Sequence, residues 1–255
     1  MSAAPGDGPD PAHYSYEHYA SAEVAEGFDA LRFSGPIGGM LAEAQEGLLV
    51  RFLGPLADRT ILDVGTGTGR AAILLARRSA RVTAVDASDE MLAVARRRAA
   101  AAGVHVAFDR GDAHALSFPD GAFDAAVALR VLMHTPDWRR CLAELCRVSR
   151  SHVVFDYPSA TSLAALQAAA RRSAAALGAR VEAYRVFLPQ TIHAALAAEG
   201  YRVTSIHRQF VLPIAVHKAI GSRGFTERVE GALAAVRLDR PFGSPVTTVA
   251  ERCAF

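Results

Sequence analysis

The chain has 255 residues, of which 51% are hydrophobic and 21% charged, and a formal net charge of +2. That length suits one domain with a sizeable core, and the composition excludes a disordered chain. The near-balance of charge argues neither for nor against a polyanionic partner, and the runs Arg77-Arg78, Arg96-Arg97-Arg98, Arg139-Arg140 and Arg171-Arg172 are expected on solvated helix faces.

Residues 1–12 are rich in Pro, Gly and Ala and read as disordered, with no apolar run of the kind a signal peptide needs. From 13 to 53 the pattern is helical, broken at Ser34-Gly35-Pro36, with Leu48, Leu49, Phe52 and Leu53 at helix-like spacing. Its aromatics Tyr14, Tyr16, Tyr19, Phe28 and Phe33 suit either a cap over a site or ordinary packing against a sheet. Ile61-Leu62-Asp63-Val64 is a buried strand, and Gly65-Thr66-Gly67-Thr68-Gly69 is a sharp turn opening a helix over 70–78. Residues 81–85 alternate as a strand ending at Asp86, and the next helix runs from its cap Ser88 to Gly103. A third strand is expected over 104–108, followed by Gly111-Asp112-Ala113, and the apolar run 123–129 reads as a central parallel strand.

In the helix expected over 137–148, Leu142, Leu145 and Val148 face inward, while Cys141 and Cys146 point apart. The three cysteines give neither a disulfide framework nor metal-ligand spacing, and fit small core residues in a reducing compartment. Strands over 153–155, 201–207 and 246–251 and a helix over 191–199 complete the alternation. The fold class is therefore α/β, a mostly parallel seven-stranded sheet with helices on both faces. Two stretches fall outside it, the alanine-rich 158–188 and a helical 212–243 interrupted by Gly221, Gly224 and Gly231. Either could shape a substrate pocket. No uncharged stretch is long enough to span a bilayer, so no stable membrane insertion is expected and a cytoplasmic protein is.

A glycine turn opening a helix presents unpaired N–H groups and a positive dipole end to a polar or anionic ligand, a signal shared by several nucleotide binders. Here the glycines follow G-x-G-x-G, and Arg70 stands where a dinucleotide fold often has its third glycine. Asp86 ends the second strand, where a carboxylate can accept from both hydroxyls of a ribose. Asp112 follows the third strand, within reach of an adenine amine. With Asp63-x-Gly65-x-Gly67-x-Gly69 and Gly111-Asp112-Ala113, these residues resemble the cofactor motifs of class I S-adenosylmethionine-dependent methyltransferases. Phe118-Pro119-Asp120-Gly121-x-Phe123-Asp124 and Val131-Leu132-Met133-His134-x-Pro136-Asp137 extend the likeness to the ubiquinone and menaquinone biosynthesis subgroup. The match runs from about Tyr19 to Ser151 and resumes weakly over 191–203. It departs at Ser149-Arg150-Ser151-His152, where many relatives carry a Lys-Pro-Gly-Gly turn.

The resemblance implies a Rossmann-like single domain over 13–255: a helical cap at 13–53, a cofactor-binding core at 54–157 and a substrate-side half at 158–255. It implies S-adenosyl-L-methionine at Gly65, Thr66 and Gly67 on the methionine side, Asp86 and Ala87 at the ribose and adenine, Asp112 and Ala113 at the adenine edge, and Arg130 near the reacting methyl. Asp63 would touch the ligand or orient the turn. Methyl transfer is an in-line displacement that draws on proximity, and a base is needed only where the acceptor must lose a proton. His134 is the candidate base, with a cofactor-cover role as its alternative. Tyr19 and Arg32 could close over the methionine end, whereas His193, His207, His217 and Trp138 suit surface or packing roles. No metal is expected.

The acceptor is read as a small molecule, apolar or aromatic if Phe187, Leu188, Phe210, Val211, Leu212 and Pro213 line its pocket. Nucleic acid is disfavoured because Leu129-Arg130-Val131-Leu132 replaces the Asn/Asp-Pro-Pro-aromatic segment of the nucleic-acid enzymes. The alternatives are an NAD(P)-type oxidoreductase and a non-catalytic S-adenosylmethionine-binding protein.

Overall fold

The computed structural model describes residues 21–176 and 184–253. The segment expected to be disordered, Tyr14, Tyr16 and Tyr19, and part of the alanine-rich stretch lie outside those residues. The elements in order are α1 (Ala22–Phe33), α2 (Gly35–Leu53), β1 (Thr60–Val64), α3 (Arg70–Arg77), β2 (Arg81–Asp86), α4 (Asp89–Ala101), β3 (Ala107–Arg110), β4 (Phe123–Ala128), a 3-10 turn (Leu132–His134), α5 (Trp138–Val148) and β5 (Ser149–Tyr157). There follow α6 (Ala164–Ala176), α7 (Pro189–Ala198), β6 (Tyr201–Phe210), α8 (Ile214–Ile220), α9 (Arg223–Ala235), α10 (Asp239–Phe242) and β7 (Ser244–Arg252).

The seven strands form one sheet in the order β3-β2-β1-β4-β5-β7-β6. Neighbours from β3 to β5 pair in parallel, and β7 alone runs antiparallel, between β5 and β6. Order reverses between β1 and β4, which opens a crevice above the carboxyl ends of those strands, where open α/β sheets bind ligands. Alternation along the central strands feeds two cores. Leu62, Val64, Ala126, Val153 and Phe155 pack with α5 and α7 through Leu142, Leu145, Ile192 and Leu196. Ile61, Ala125, Val127 and Val154 pack the other way, with α2 and α3 through Leu49, Leu53, Ala72 and Leu75. A strand buried on both faces reads as a continuous apolar run, which is why β1 and β4 were plain in the sequence.

Two expectations are corrected. β3 starts at Ala107, not at residue 104, because Gly103 (φ 66°) ends α4 with N–H bonds from Gly103 to Ala100 and from Val104 to Ala99. The chain reaches its partner only at the Thr83–Ala107 pair. Gly224 and Gly231 lie inside α9 without breaking it, since Ser222 caps its start and helical bonding continues through both; Gly221 does end α8. Arg97 and Arg98, on a solvated face as expected, reach Glu26 and Asp29 and so fasten α4 to α1.

The Phe118–Gly121 segment docks on α5. Arg147 donates to the carbonyls of Leu116 and Phe118 and pairs with Asp120, while Glu144 accepts the Leu116 N–H. Asp124 likewise serves the scaffold, accepting from the N–H and hydroxyl of Thr60, each at 2.8 Å. Where relatives carry a glycine turn, β5 begins directly at the last residue of the α5 cap, and Ser149 and Ser151 hydroxyls bond the carbonyls of His152 and Asp124.

Candidate functional site: the cleft above β1, β2 and β4

The turn after β1 is held from inside. Asp63 is 2% exposed and accepts the Thr66 hydroxyl at 2.7 Å. Burial pushes its pKa up from 3.8 to about 7, against the Thr66 and Ala72 hydrogen bonds, which favour the charge. Gly65 has φ 65°, and a Cβ there would stand 2.5 Å from the Val131 side chain. Gly69 (φ 80°) caps α3, and a Cβ there would meet that of Ala95 at 2.9 Å. Gly69 thus takes the close-packing role that a third glycine plays in dinucleotide folds, which leaves position 70 free for a long side chain. Gly67 (φ 54°) has open space beside it, and its N–H donates to the Asp86 carboxylate at 2.7 Å.

Asp86 also accepts the Ser88 N–H at 3.0 Å. Burial raises its pKa, opposed by hydrogen bonds from the backbones of Ser88, Gly67 and Ala87. Asp112 accepts the His114 N–H and meets the His114 ring Nδ1 at 2.6 Å; that ring is buried, and Arg140 from α5 donates to the His114 carbonyl. Arg130 follows β4 with φ 61°, its N–H donating to Asp156 at the end of β5. Asp156 is buried, which raises its pKa although Arg130 nearby lowers it.

All ten residues singled out from the sequence line one cleft: Asp63, Gly65, Thr66, Gly67, Asp86, Ala87, Asp112, Ala113, Arg130 and His134. Phe28, Asp29, Arg32, Phe33 and Gln45 from the segment read as a possible cap also line it, but the bonds that fasten that roof were not legible. Asp29 on α1 accepts the Thr68 hydroxyl at 3.0 Å and pairs with Arg98, and Arg70 crosses from α3 to bond Gln45 and lie 3.9 Å from the Phe33 ring. Nothing local marks Asp29, Gln45 or His114, and Arg70 stood out only as the residue in place of a third glycine.

A second cavity, about 400 Å³, adjoins the first, and Arg32, Phe33, Gln45 and Arg130 line both. Phe210, Val211, Leu212 and Pro213 line it as expected, and Phe187 and Leu188 do not. Phe187 is instead in the core, edge-on to Trp138 and Tyr157, while Leu188 is exposed. His217, fully buried, is bonded to Glu230 at 2.8 Å and Thr226 at 3.0 Å; His193 is exposed. Among the described residues no group of His, Cys, Asp and Glu is arranged to hold a metal.

Residues 61–152 match a methyltransferase domain model. Over 181 residues the chain is 36% identical to the demethylmenaquinone methyltransferase of Thermus thermophilus, a match that covers 68% of this chain and 77% of that protein. The chain belongs to the class I S-adenosylmethionine-dependent methyltransferases. Methyltransferase GfsG of Streptomyces halstedii is 38% identical over 116 residues, 43% of this chain and 42% of that one. The fold is shared with magnesium protoporphyrin IX methyltransferase from Synechocystis, with a TM-score of 0.67 at 16% identity, covering 96% of this chain and all of that one. That protein was solved with both S-adenosylhomocysteine and S-adenosylmethionine bound. S-adenosylmethionine is the cofactor of this methyltransferase, and the cleft fits it chemically. Space lies open beside Gly67, a carboxylate ends β2, and α1 and α2 line the cleft beside the turn. The antiparallel β7 also departs from the plain dinucleotide-binding sheet, against the oxidoreductase alternative.

Proposed function

We propose that this methyltransferase modifies a small-molecule acceptor seated in the second cavity. The observation that carries this reading is the shared wall: Arg32, Phe33, Gln45 and Arg130 face both the cofactor cleft and a cavity of small-molecule size. The named activities of its likenesses point the same way, toward menaquinone precursors, magnesium protoporphyrin and geranyl diphosphate as acceptors.

In this reading Asp86 holds the ribose hydroxyls and Asp112 with Ala113 the adenine edge, while Gly65, Thr66 and Gly67 form the floor under the methionine portion. Asp63 fixes the turn through Thr66 rather than reaching the ligand. S-adenosylmethionine supplies an electrophilic methyl on a sulfonium, whose departure requires no proton. The chain's contribution is alignment and exclusion of water: α1, fastened through Asp29, Arg97 and Arg98, closes the donor side, and Arg130 stands at the boundary the methyl must cross. His134, 6% exposed on the 3-10 turn, covers the cleft. A nucleic acid is a poor acceptor for a cavity of this size. The free cysteines, two of them buried at Cys141 and Cys146, support a reducing, cytoplasmic setting. Among the described residues no helix is long and apolar enough to cross a membrane.

Calorimetry with S-adenosylhomocysteine and NADH, followed by Asp86→Asn, tests the site. Tight binding of the first alone, weakened about 10- to 100-fold in the variant, is expected from losing a charge-assisted hydrogen bond worth roughly 1.5–3 kcal/mol. Unchanged affinity in a folded Asp86→Asn protein would remove the ribose from Asp86.

A further inference from the structure

β4 and β5 separate at the edge of the cofactor cleft. They pair in parallel as far as Ala128 and Phe155, where β4 ends while β5 runs on to Tyr157. Asp156 and Tyr157 stay in the sheet through their other side, paired with Thr247 and Val246 of the antiparallel β7. Just past the last β4–β5 pair, the Arg130 N–H donates to the Asp156 carboxylate, so a side chain takes over where the ladder stops. That side chain is 3% exposed and stands on backbone anchored by β7, which makes it a fixed point of the sheet.

The bond holds a conformation that Arg130 disfavours by itself. Its φ of 61° is left-handed, where a Cβ crowds the backbone and glycine sits without cost. The turn so made delivers Val131 to the head of the 3-10 turn, where the His134 N–H closes on the Val131 carbonyl at 2.8 Å. The Val131 side chain lies 2.5 Å from where a Gly65 Cβ would stand, so it packs directly on the first glycine of the turn after β1. Contact thus runs from Asp156 to the Arg130 backbone, to Val131 and to Gly65. Gly65, Arg130 and Val131 line the cofactor cleft, whereas Asp156 lines the second cavity and not the first.

We propose that Asp156 is a positioning residue for methyl transfer: from the wall of the second cavity it locks Arg130 in the left-handed turn that seats Val131 against Gly65, and so shapes the floor under the cofactor. It acts through Arg130 and Val131 rather than on the cofactor itself. This rests on S-adenosylmethionine occupying the first cleft, and not on which acceptor fills the second. An oxygen that accepts the Arg130 N–H is all the role requires, so asparagine serves at position 156 and alanine does not. A proton-accepting role at the same place would instead require the carboxylate itself.

The test titrates S-adenosylhomocysteine into the full chain and into Asp156→Asn, Asp156→Ala, Arg130→Gly and the double variant Asp156→Ala/Arg130→Gly, each shown to be folded by circular dichroism. Asp156→Ala should weaken binding about 10-fold, and Asp156→Asn no more than about twofold. Arg130→Gly removes a cleft side chain and sets its own baseline; adding Asp156→Ala to it should cost less than about twofold, because glycine holds the angle unaided. The Arg130 amide, followed by heteronuclear NMR without ligand, should be protected from exchange in the parent and in Asp156→Asn and lose that protection in Asp156→Ala. Unchanged affinity in Asp156→Ala, an equal loss whether position 130 is arginine or glycine, or a loss that Asp156→Asn reproduces in full overturns the proposal. If S-adenosylhomocysteine does not bind the parent, the placement of the cofactor in the first cleft falls. The amide measurements, made without ligand, decide separately whether Asp156 holds Arg130.

Discussion

Asp63 carries its carboxyl in a place that water does not reach, and this makes it the clearest pH-dependent group in the cleft. Its folded pKa of about 7 lies above the ordinary 3.8. Below about pH 4 both folded and unfolded chains hold the proton, and the group's contribution is complete. Between 4 and 7 the unfolded chain releases the proton first, so stability falls as pH rises, by roughly 4 kcal/mol at most. Asp63→Asn should flatten that decline, and urea unfolding of parent and variant at pH 4.5, 5.5, 6.5 and 7.5 would show parallel curves if the burial cost is absent. The two glycines before α3 separate by the same kind of argument. Gly65→Ala meets Val131 at 2.5 Å as well as an unfavourable φ, while Gly67→Ala meets only the φ. The first should destabilise by roughly 2–4 kcal/mol and the second by roughly 1 kcal/mol, compared by chemical denaturation. Much at this scale was legible: the glycines, Asp86 and Asp112 all face the cleft. Their partners were not, because His114 beside Asp112 and the Asp86 bond to the Gly67 N–H depend on how the loops after β1, β2 and β3 meet.

Helix α1 and the α8–α9 pair are fastened by small apolar clusters and a few polar contacts rather than by the two main cores. Asp29 ties α1 to Thr68 and Arg98 above the turn. Asp29→Ala should leave the sheet intact yet loosen this roof, seen as faster amide exchange across α1 and a faster release of S-adenosylhomocysteine. At the far side, Glu230 on α9 accepts the N–H groups of Val211 and Leu212 at 2.7 and 3.0 Å and bonds the buried His217. Glu230→Ala strands those donors, so α8, α9 and the 211–213 wall should lose roughly 2–4 kcal/mol of local stability. Amide exchange confined to these elements would confirm it; global destabilisation of equal size would show that Glu230 supports the whole fold instead. The sequence outlined both as helical, one as a cap over a site or ordinary packing and the other as a stretch that could shape a substrate pocket, without fixing which residues they meet. Helical periodicity records which face is apolar, not what it meets.

Across the molecule, the sheet brings the carboxyl ends of β1, β2, β3 and β4 to one crevice, and the carboxyl end of β5 lines a second cavity beside it together with α6 and α8. A ligand that binds the folded chain alone stabilises it by about 2.7 kcal/mol at one hundred times its dissociation constant. Saturating S-adenosylhomocysteine should therefore raise the melting temperature by roughly 5–10 °C, given about 2–4 °C per kcal/mol for a domain of this size. NADH at the same concentration should leave it unmoved, and an equal shift from NADH would reopen the oxidoreductase alternative.

The glycine turn, the strand-end aspartates and the alternation of strands and helices are local in sequence. Backbone angles, capping and burial period are set within a few residues, so the donor cofactor and the fold class could be read directly. The antiparallel β7 between β5 and β6, the Arg70 and Asp29 bridges to the roof, and the meeting of Arg171, Lys218 and Gln209 around one cavity join residues distant in the chain. Such contacts leave no periodic trace. The sequence by itself determined what gives the methyl group; only the tertiary structure set a second cavity, with its shape and lining, against the cofactor cleft.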